Sequence, residues 1–348
     1  MTVDSLGVGS ALAALPEQLA SAHERAGTID GARLPEAGEA TNVVVLGMGG
    51  SGIVGNIVQT VASGILPVPV LALKQYRTPA YVGPGTLAFA VSYSGDTEET
   101  VAMASGALDA GAQLVAISRG GALADLARER GALHVPCAPD IAMPRFALGE
   151  LLAPVVVVLA RLGMMLDGHA SLVMAQQQLH ARREQCCVDA DASANPAREL
   201  ARRIDRTIPV VYGTGALGGV AAIRWKQSIN ENAKAPAFWN EYPELDHNEV
   251  CGWGQHGDVT RQLFTLVQLR HGLEHPQLGP RVDATEELVD EAVHQVLAVD
   301  AEGEGRLAQL LDLAYLGDWT SYYVALANDV DPGPIDAIAR LKSRLAGG

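Results

Sequence analysis

The chain has 348 residues, 48% hydrophobic and 19% charged, which excludes a disordered protein and supports a core spread over about two domains. A net charge of −15 opposes nucleic acid and anionic lipid surfaces, although a local basic pocket still suits a small anion. Four cysteines (Cys137, Cys186, Cys187 and Cys251) have neither metal-ligand spacing nor the density of a disulfide framework, so a reducing, cytoplasmic compartment is expected.

The start, MTVDSLGVGSALAALPEQLA, lacks a basic stretch followed by a long apolar run and is a poor signal peptide. LGVGSALAALPEQLASAHERA reads as an amphipathic helix or a pair of short helices, and LPEAGEA as a loop. NVVVLGMGGSGIVGNIVQTVASG then gives a strand, a glycine turn and a helix. PVPVLALKQY is a second strand, followed by the turn YVGPG. TLAFAVSYSG is a third strand, with DTEETVAMASGALDAG as its helix. AQLVAISRGG and ALADLARERG repeat the pattern, and ALHVPCA is short and strand-like. MPRFALGELLAPVVVVLARLGMML closes the unit as a long helix after a loop. Its apolar part, Leu151 to Leu166, is too short for a membrane span and is interrupted by Arg161, so a buried helix is expected.

Buried strands that alternate with helices indicate a parallel, three-layer α/β domain over residues 40–167, after an N-terminal helical segment at 1–39. Residues 168–206 are polar and helix-like and read as a connector. A second unit is expected over 207–348. TIPVVYGTGALGGVAAIRWKQSINENAK repeats the strand, glycine turn and helix, a weak echo of the first unit. APAFWNEYPELDHNEVCGW reads as loop-rich, GDVTRQLFTLVQLRHG as containing a strand, and the run from GPRVDATEELV to YYVALANDV as strand-poor and mainly helical. DPGPIDAIARLKSRLAGG ends in a helix whose start is marked by DP.

Two stretches point to an anion. GMGGSG, Gly47 to Gly52, lets the backbone turn sharply and leaves helix N–H groups free for a negative ligand. It is not a P-loop, because no Lys-Ser/Thr pair closes it. The dinucleotide pattern is also missing, since the second strand ends in Lys74 rather than an acid. SYSGDTEET adds Ser92, Ser94 and Thr97 between the third strand and its helix, at the same carboxyl edge of the sheet. Hydroxyls with backbone amides can hold a phosphate monoester. The competing reading is helix capping by Ser94 or Thr97, with Glu98 or Glu99 completing a capping box.

The groups able to do chemistry are Arg145 in MPRFALGE, Glu231 in NENAK, the PELDHNE cluster (Glu244, Asp246, His247, Glu249) and Lys342 in the last helix. Arg145 could instead pair with Glu150, His247 could be an ordinary loop histidine, and Lys342 could be a surface residue. A metal site from Asp246, His247 and Glu249 is disfavoured, because the nine histidines are scattered without an H-x-x-x-H pair.

GMGGSGIVGN, SYSGDTEET, PRFALGE, NENAKAPAFWNEYPELDHNEVCGW and DPGPIDAIARLK together resemble the bifunctional phosphoglucose/phosphomannose isomerases, and most closely their actinobacterial branch. That family is built from two sugar isomerase (SIS) domains, and the resemblance covers nearly the whole chain. It implies two α/β/α domains with parallel sheets joined by a helical connector. Gly49, Gly50 and Ser51 would form the first sugar-phosphate loop, and Ser92, Ser94 and Thr97 would hold the phosphate. Arg145 would lie beside the reacting carbons and Glu231 would be the base. His247 would serve ring opening from the other subunit of a homodimer, and Lys342 would sit near the ring oxygen. The resemblance implies a phosphosugar substrate and neither metal nor nucleotide. Asn56, Asp96 and Met143 depart from the family's aspartate, asparagine and glutamine. The alternatives are a non-catalytic sugar-phosphate-binding regulator and an isomerase acting on another phosphosugar. SIS-type amide transfer would need an N-terminal glutamine-hydrolysing domain, and Met1 leads into no nucleophilic cysteine.

Overall fold

The computed structural model describes residues 3–35, 38 and 40–346. The loop expected at LPEAGEA therefore lies partly outside the described residues, as do the first two residues of the chain and the last two of the closing helix segment. Two helices come first, α1 (Val8–Ala13) and α2 (Leu15–Gly27). There follow β1 (Asn42–Leu46), α3 (Gly49–Ala62), β2 (Val70–Leu73), β3 (Thr86–Val91), α4 (Glu98–Asp109), β4 (Gln113–Ser118), α5 (Gly121–Glu129), β5 (Leu133–Pro136) and α6 (Leu148–Arg161). Next are α7 (Gly168–Cys186), α8 (Pro196–Ile204), β6 (Ile208–Thr214), α9 (Gly215–Ser228), β7 (Phe238–Tyr242), α10 (Gly257–Leu263), β8 (Phe264–Arg270), α11 (Leu278–Val289), β9 (Gln295–Asp300), α12 (Arg306–Ala327) and α13 (Asp336–Ala346). The chain forms two compact units. One comprises Ala14–Ala181 with Glu302–Asp312; the other takes the chain up to Ala13, Arg182–Ala301 and the chain from Leu313.

The first unit is built on a parallel sheet of order β2-β1-β3-β4-β5. Every residue of β3, TLAFAV, is buried, as a central strand covered on both faces requires. On one face Val44, Leu46, Ala88 and Ala90 pack with Met103, Ala104 and Ala107 of α4 and Leu123 and Ala127 of α5. In α6 every residue from Leu148 to Leu159 is buried, so the apolar run is a buried helix there; the helix stops at Arg161, short of the expected Leu166, which is 84% exposed. Pro154 has no N–H to offer the Glu150 carbonyl, and the Cys137 thiol meets that carbonyl at 3.8 Å instead. Among the described residues no helix is long and apolar enough to cross a membrane.

The second unit carries a parallel sheet of order β7-β6-β8-β9. Its outer strands lie where the sequence offered a loop-rich segment and a strand-poor run, and both readings are corrected here. β7 and β9 each have a single strand neighbour. Phe238 and Trp239 of β7 remain exposed, so its residues carry no buried alternation. In β9 only Leu297 and Val299 are buried, too few to stand out between two helices. Their register comes from the central strands, Val210 pairing with Phe238 and Thr265 with Gln295. Both units are thus three-layer α/β structures with parallel sheets, as the sequence indicated.

Candidate active site

In the first sheet the chain leaves β1 for β2 on one side and then returns to β3 on the other. The β1/β3 crevice is the topological switch point where such sheets bind ligands. Two helix N-termini open onto it, since α3 begins in the glycine turn after β1 and α4 begins after SYSGDT. Ser92 is 1% exposed, and its hydroxyl lies 2.9 Å from that of Thr97 and accepts from the Gly95 amide at 3.2 Å. Thr97 occupies the N-cap position of α4, yet its side chain makes no capping bond. Ser94 accepts from the Asp96 amide two residues on, at 3.2 Å, which is a local turn. The capping box is therefore not formed, and the Thr97 hydroxyl turns into the crevice loop beside Ser92. Ser51, in the first turn of α3, accepts from the Tyr93 amide at 3.4 Å and ties the two loops together.

Two glycines allow this closeness. At Gly95 (φ +81°) a Cβ would sit 1.8 Å from the Gly120 carbonyl oxygen. At Gly50 a Cβ would approach Arg145 Cα to 3.2 Å, so the glycine turn and the Arg145 backbone are in direct contact. Arg145 sits in a 3-10 turn, Pro144–Phe146, largely buried, with its guanidinium 4.7 Å above the Phe146 ring. Tyr93 holds the preceding loop: its hydroxyl donates to the Ala138 carbonyl at 2.8 Å and accepts from the Ile141 amide at 3.0 Å. Buried Glu150 is taken by Arg25 and by the Ala138 amide at 2.8 Å, so it anchors the same loop. Two departures from the family pattern have local partners. Asp96 accepts from the Ala122 amide at 3.0 Å, at the start of α5, and Asn56 accepts from Lys74, whose pKa burial pushes down.

The second unit presents Glu231 from a π-helical turn, Ile229–Ala233, that continues α9. Single π turns inside helices are frequent at functional sites because they re-aim one side chain. A buried polar network fixes this one. Asn232, 1% exposed, donates to Ser321 at 2.9 Å, and Ser321 donates to the Asp318 carbonyl at 2.6 Å. The Asp318 carboxylate receives Arg224 through two bonds of 2.9 Å and also the Ser228 hydroxyl. Burial opposes the charge on Arg224, but Asp318 and then Glu231 outweigh it and hold the guanidinium pKa above its ordinary value. Lys234, in the left-handed region at φ 55°, donates to the carbonyls of Asn232, Asp331 and Pro332 at 3.2, 2.9 and 3.0 Å. It clamps NENAK to the DPGP loop. Between them lies a cleft of about 420 Å³ lined by Glu231, Asn230, Pro334, Ile335 and Ile338, within the size range of ligand sites.

The PELDHNE residues separate. Asp246 accepts from Thr285 at 2.9 Å and from Arg281 at 3.2 Å. Glu249 accepts from Tyr212 at 2.6 Å and from Asn240, and Glu244 accepts from Asn248 at 2.9 Å. Their carboxylates are committed to fold contacts. His247 ends a 3-10 turn and is exposed, and among the described residues its side chain makes no hydrogen bond. Lys342 is exposed in the middle of α13; the first turn of that helix lines the Glu231 cleft, but Lys342 is not among the lining residues. The predicted site residues fall in two sets: the glycine turn, the hydroxyls and Arg145 in the first unit, and Glu231, His247 and Lys342 in the second. Tyr93, Lys234, Asn232 and Asp318 were not legible as site-building residues. Tyr93 carried a signal as a large side chain between two serines, and Asn232 and Lys234 as members of NENAK; Asp318 carried none.

Residues 193–345 match the family model described as bacterial phospho-glucose isomerase C-terminal SIS domain. A bifunctional phosphoglucose/phosphomannose isomerase of Caldicellulosiruptor bescii is 34% identical over 332 residues, covering 95% of this chain and 97% of that protein. One of Aquifex aeolicus is 32% identical over 304 residues, covering 87% and 90%. In fold, the C-terminal domain of glucosamine-fructose-6-phosphate aminotransferase from Francisella tularensis superposes with a TM-score of 0.70 at 14% identity, covering 93% of this chain and 97% of that one. The sequence relatives come from thermophilic bacteria and archaea, so the resemblance to an actinobacterial branch finds no counterpart among them.

Proposed function

Because this chain belongs to the bifunctional phosphoglucose/phosphomannose isomerase family, we propose that it converts glucose 6-phosphate and mannose 6-phosphate to fructose 6-phosphate. The phosphate is held by Ser92, Ser94 and Thr97 with the backbone of Gly49, Gly50 and Ser51. Anchoring the phosphate orients the reacting carbons and lowers the entropy cost of proton transfer. His247, with Lys342 near the ring oxygen, assists ring opening by proton donation. Glu231 then removes the C2 proton and returns it to C1, a task one carboxylate can serve for both carbons in turn. Arg145 stabilises the enediolate oxygen as negative charge develops. These steps need no redox partner, since the electrons stay within the sugar.

The observation that carries this reading is Glu231. A carboxylate presented by a π turn, braced by a buried network, opens into a cleft of ligand size. In a phosphosugar-binding regulator the same carboxylate would accept hydrogen bonds from sugar hydroxyls, so proton exchange is what separates the two readings. The test is incubation with either aldose phosphate in deuterated water. Fructose 6-phosphate should form, and deuterium should enter C2 of the recovered aldose. Binding of both sugars with neither product nor exchange would assign the chain a regulatory role instead.

His247 is read as acting across a homodimer, and subunit mixing tests that reading. Glu231→Gln and His247→Ala homodimers should each be nearly inactive. Random exchange of their subunits makes about half the dimers mixed, each with one intact site, restoring about a quarter of wild-type activity. If both groups act within one chain, mixing restores nothing.

A further inference from the structure

The two sheets share a strand order: β6, β7 and β8 of the second stand where β1, β2 and β3 stand in the first. The β6/β8 crevice is therefore the counterpart of the crevice that holds Ser92 and Thr97, and it too has a glycine turn and a helix, α9, after its first strand. Its contents differ. The loop after β8 folds Glu274 back into the crevice, where the side chain is 12% exposed. One carboxylate oxygen accepts from the Thr214 hydroxyl at 2.6 Å, the His271 amide at 2.9 Å and Arg270 Nε at 2.9 Å. The other accepts from Arg270 Nη2 at 2.8 Å. The His271 ring lies 3.0 Å from the Thr214 carbonyl, joining the two loops.

A hydroxyl, a backbone amide and a forked guanidinium are the donors that recognise a phosphate or carboxylate oxyanion. We infer that the second unit retains an oxyanion-binding nest at its own switch point, and that Glu274 is the built-in anion that keeps it closed. The ligand class that fits once Glu274 is removed is inorganic phosphate or a phosphate monoester. In the intact chain the nest is filled, which leaves the β1/β3 crevice as the switch point open to phosphosugars. The depressed pKa of Glu274 agrees: burial alone would raise it, but its bonds from Arg270, Thr214 and His271 outweigh that and favour the anion. An ordinary surface ion pair between neighbours in sequence would recruit neither Thr214 nor the His271 amide.

The experiment compares the full chain with Glu274→Ala, using inorganic phosphate as the probe at constant ionic strength. Equilibrium dialysis should give about one more phosphate bound per chain in the variant than in the parent. That extra equivalent should vanish in Arg270→Ala/Glu274→Ala. A folded Glu274→Ala chain with no extra phosphate overturns the inference, as does an extra equivalent that survives loss of Arg270. Should Glu274→Ala fail to fold, Glu274→Ser, whose short side chain also leaves the nest open, replaces it. Its melting temperature should rise with phosphate by more than the parent's does, and an equal response overturns the inference. The comparison is of increments between variants, so it stands whether or not the first crevice binds phosphosugar.

Discussion

Glu231→Gln is expected to lower kcat for aldose–ketose conversion by about 10²–10⁴-fold, the range typical of losing a positioned general base. The carboxamide has nearly the same shape, so Asn232, Ser321 and the Lys234 clamp should keep the π turn in place. It cannot accept the C2 proton. Phosphate affinity, which rests on Ser92, Ser94 and Thr97, should stay within about twofold, so the loss should appear in kcat rather than in KM. Steady-state kinetics with glucose 6-phosphate and a direct binding titration separate the two quantities. A parallel collapse of binding would show that Glu231 contacts the phosphate end or supports the fold, and the assignment of a base would fail.

Asp318→Ala should be the most damaging change to stability outside the apolar core. Arg224 and Asp318 are 5% and 2% exposed and joined by two bonds of 2.9 Å. Removing the carboxylate takes from a buried guanidinium its doubly bonded counter-charge and leaves it only the weaker pull of Glu231, a loss of about 3 kcal/mol. It also frees Ser228, and so loosens the start of the π turn that aims Glu231. Chemical denaturation followed by tryptophan fluorescence should report the loss, since Trp225 is buried on the same helix as Arg224. The double change Arg224→Met with Asp318→Leu replaces both charges by apolar groups of similar volume and should recover most of the stability. It should not recover full activity, because the anchor of the π turn stays missing. A loss below about 1 kcal/mol in Asp318→Ala would mean that water reaches Arg224 and that the pair does not brace the site.

Local pattern was enough for much of the fold. Apolar β1, β3 and β4, each followed by a helix, identify a parallel sheet, because short buried strands and glycine turns are written in consecutive residues. The glycine turn and SYSGDT were legible as the turns that meet at the β1/β3 crevice for the same reason: each is a single short stretch. The edge strands β7 and β9 were not, since an edge strand is defined by its neighbour and not by its own burial pattern. In PELDHNE residue type alone lists four polar candidates, and only the family resemblance singled out His247. The fold ranks them by binding Asp246 to Thr285, Glu249 to Tyr212 and Glu244 to Asn248, and by leaving His247 exposed.

The amino-acid sequence by itself determined the two α/β units, the buried helix α6, the loops that meet at the β1/β3 crevice and, through the resemblance of its motifs, the family. The units, the helix and the loops follow from neighbouring residues acting through burial periodicity and backbone freedom, whereas the family rests on the likeness of short motifs. Tertiary structure alone decided that Thr97 faces Ser92 instead of capping α4. It alone decided that Asn232, Ser321, Asp318 and Arg224 brace Glu231, and that Glu274 fills the second crevice. Those outcomes depend on hydrogen bonds to partners that only folding brings near, often tens of residues away, and a buried polar group takes whichever partner the packed chain delivers.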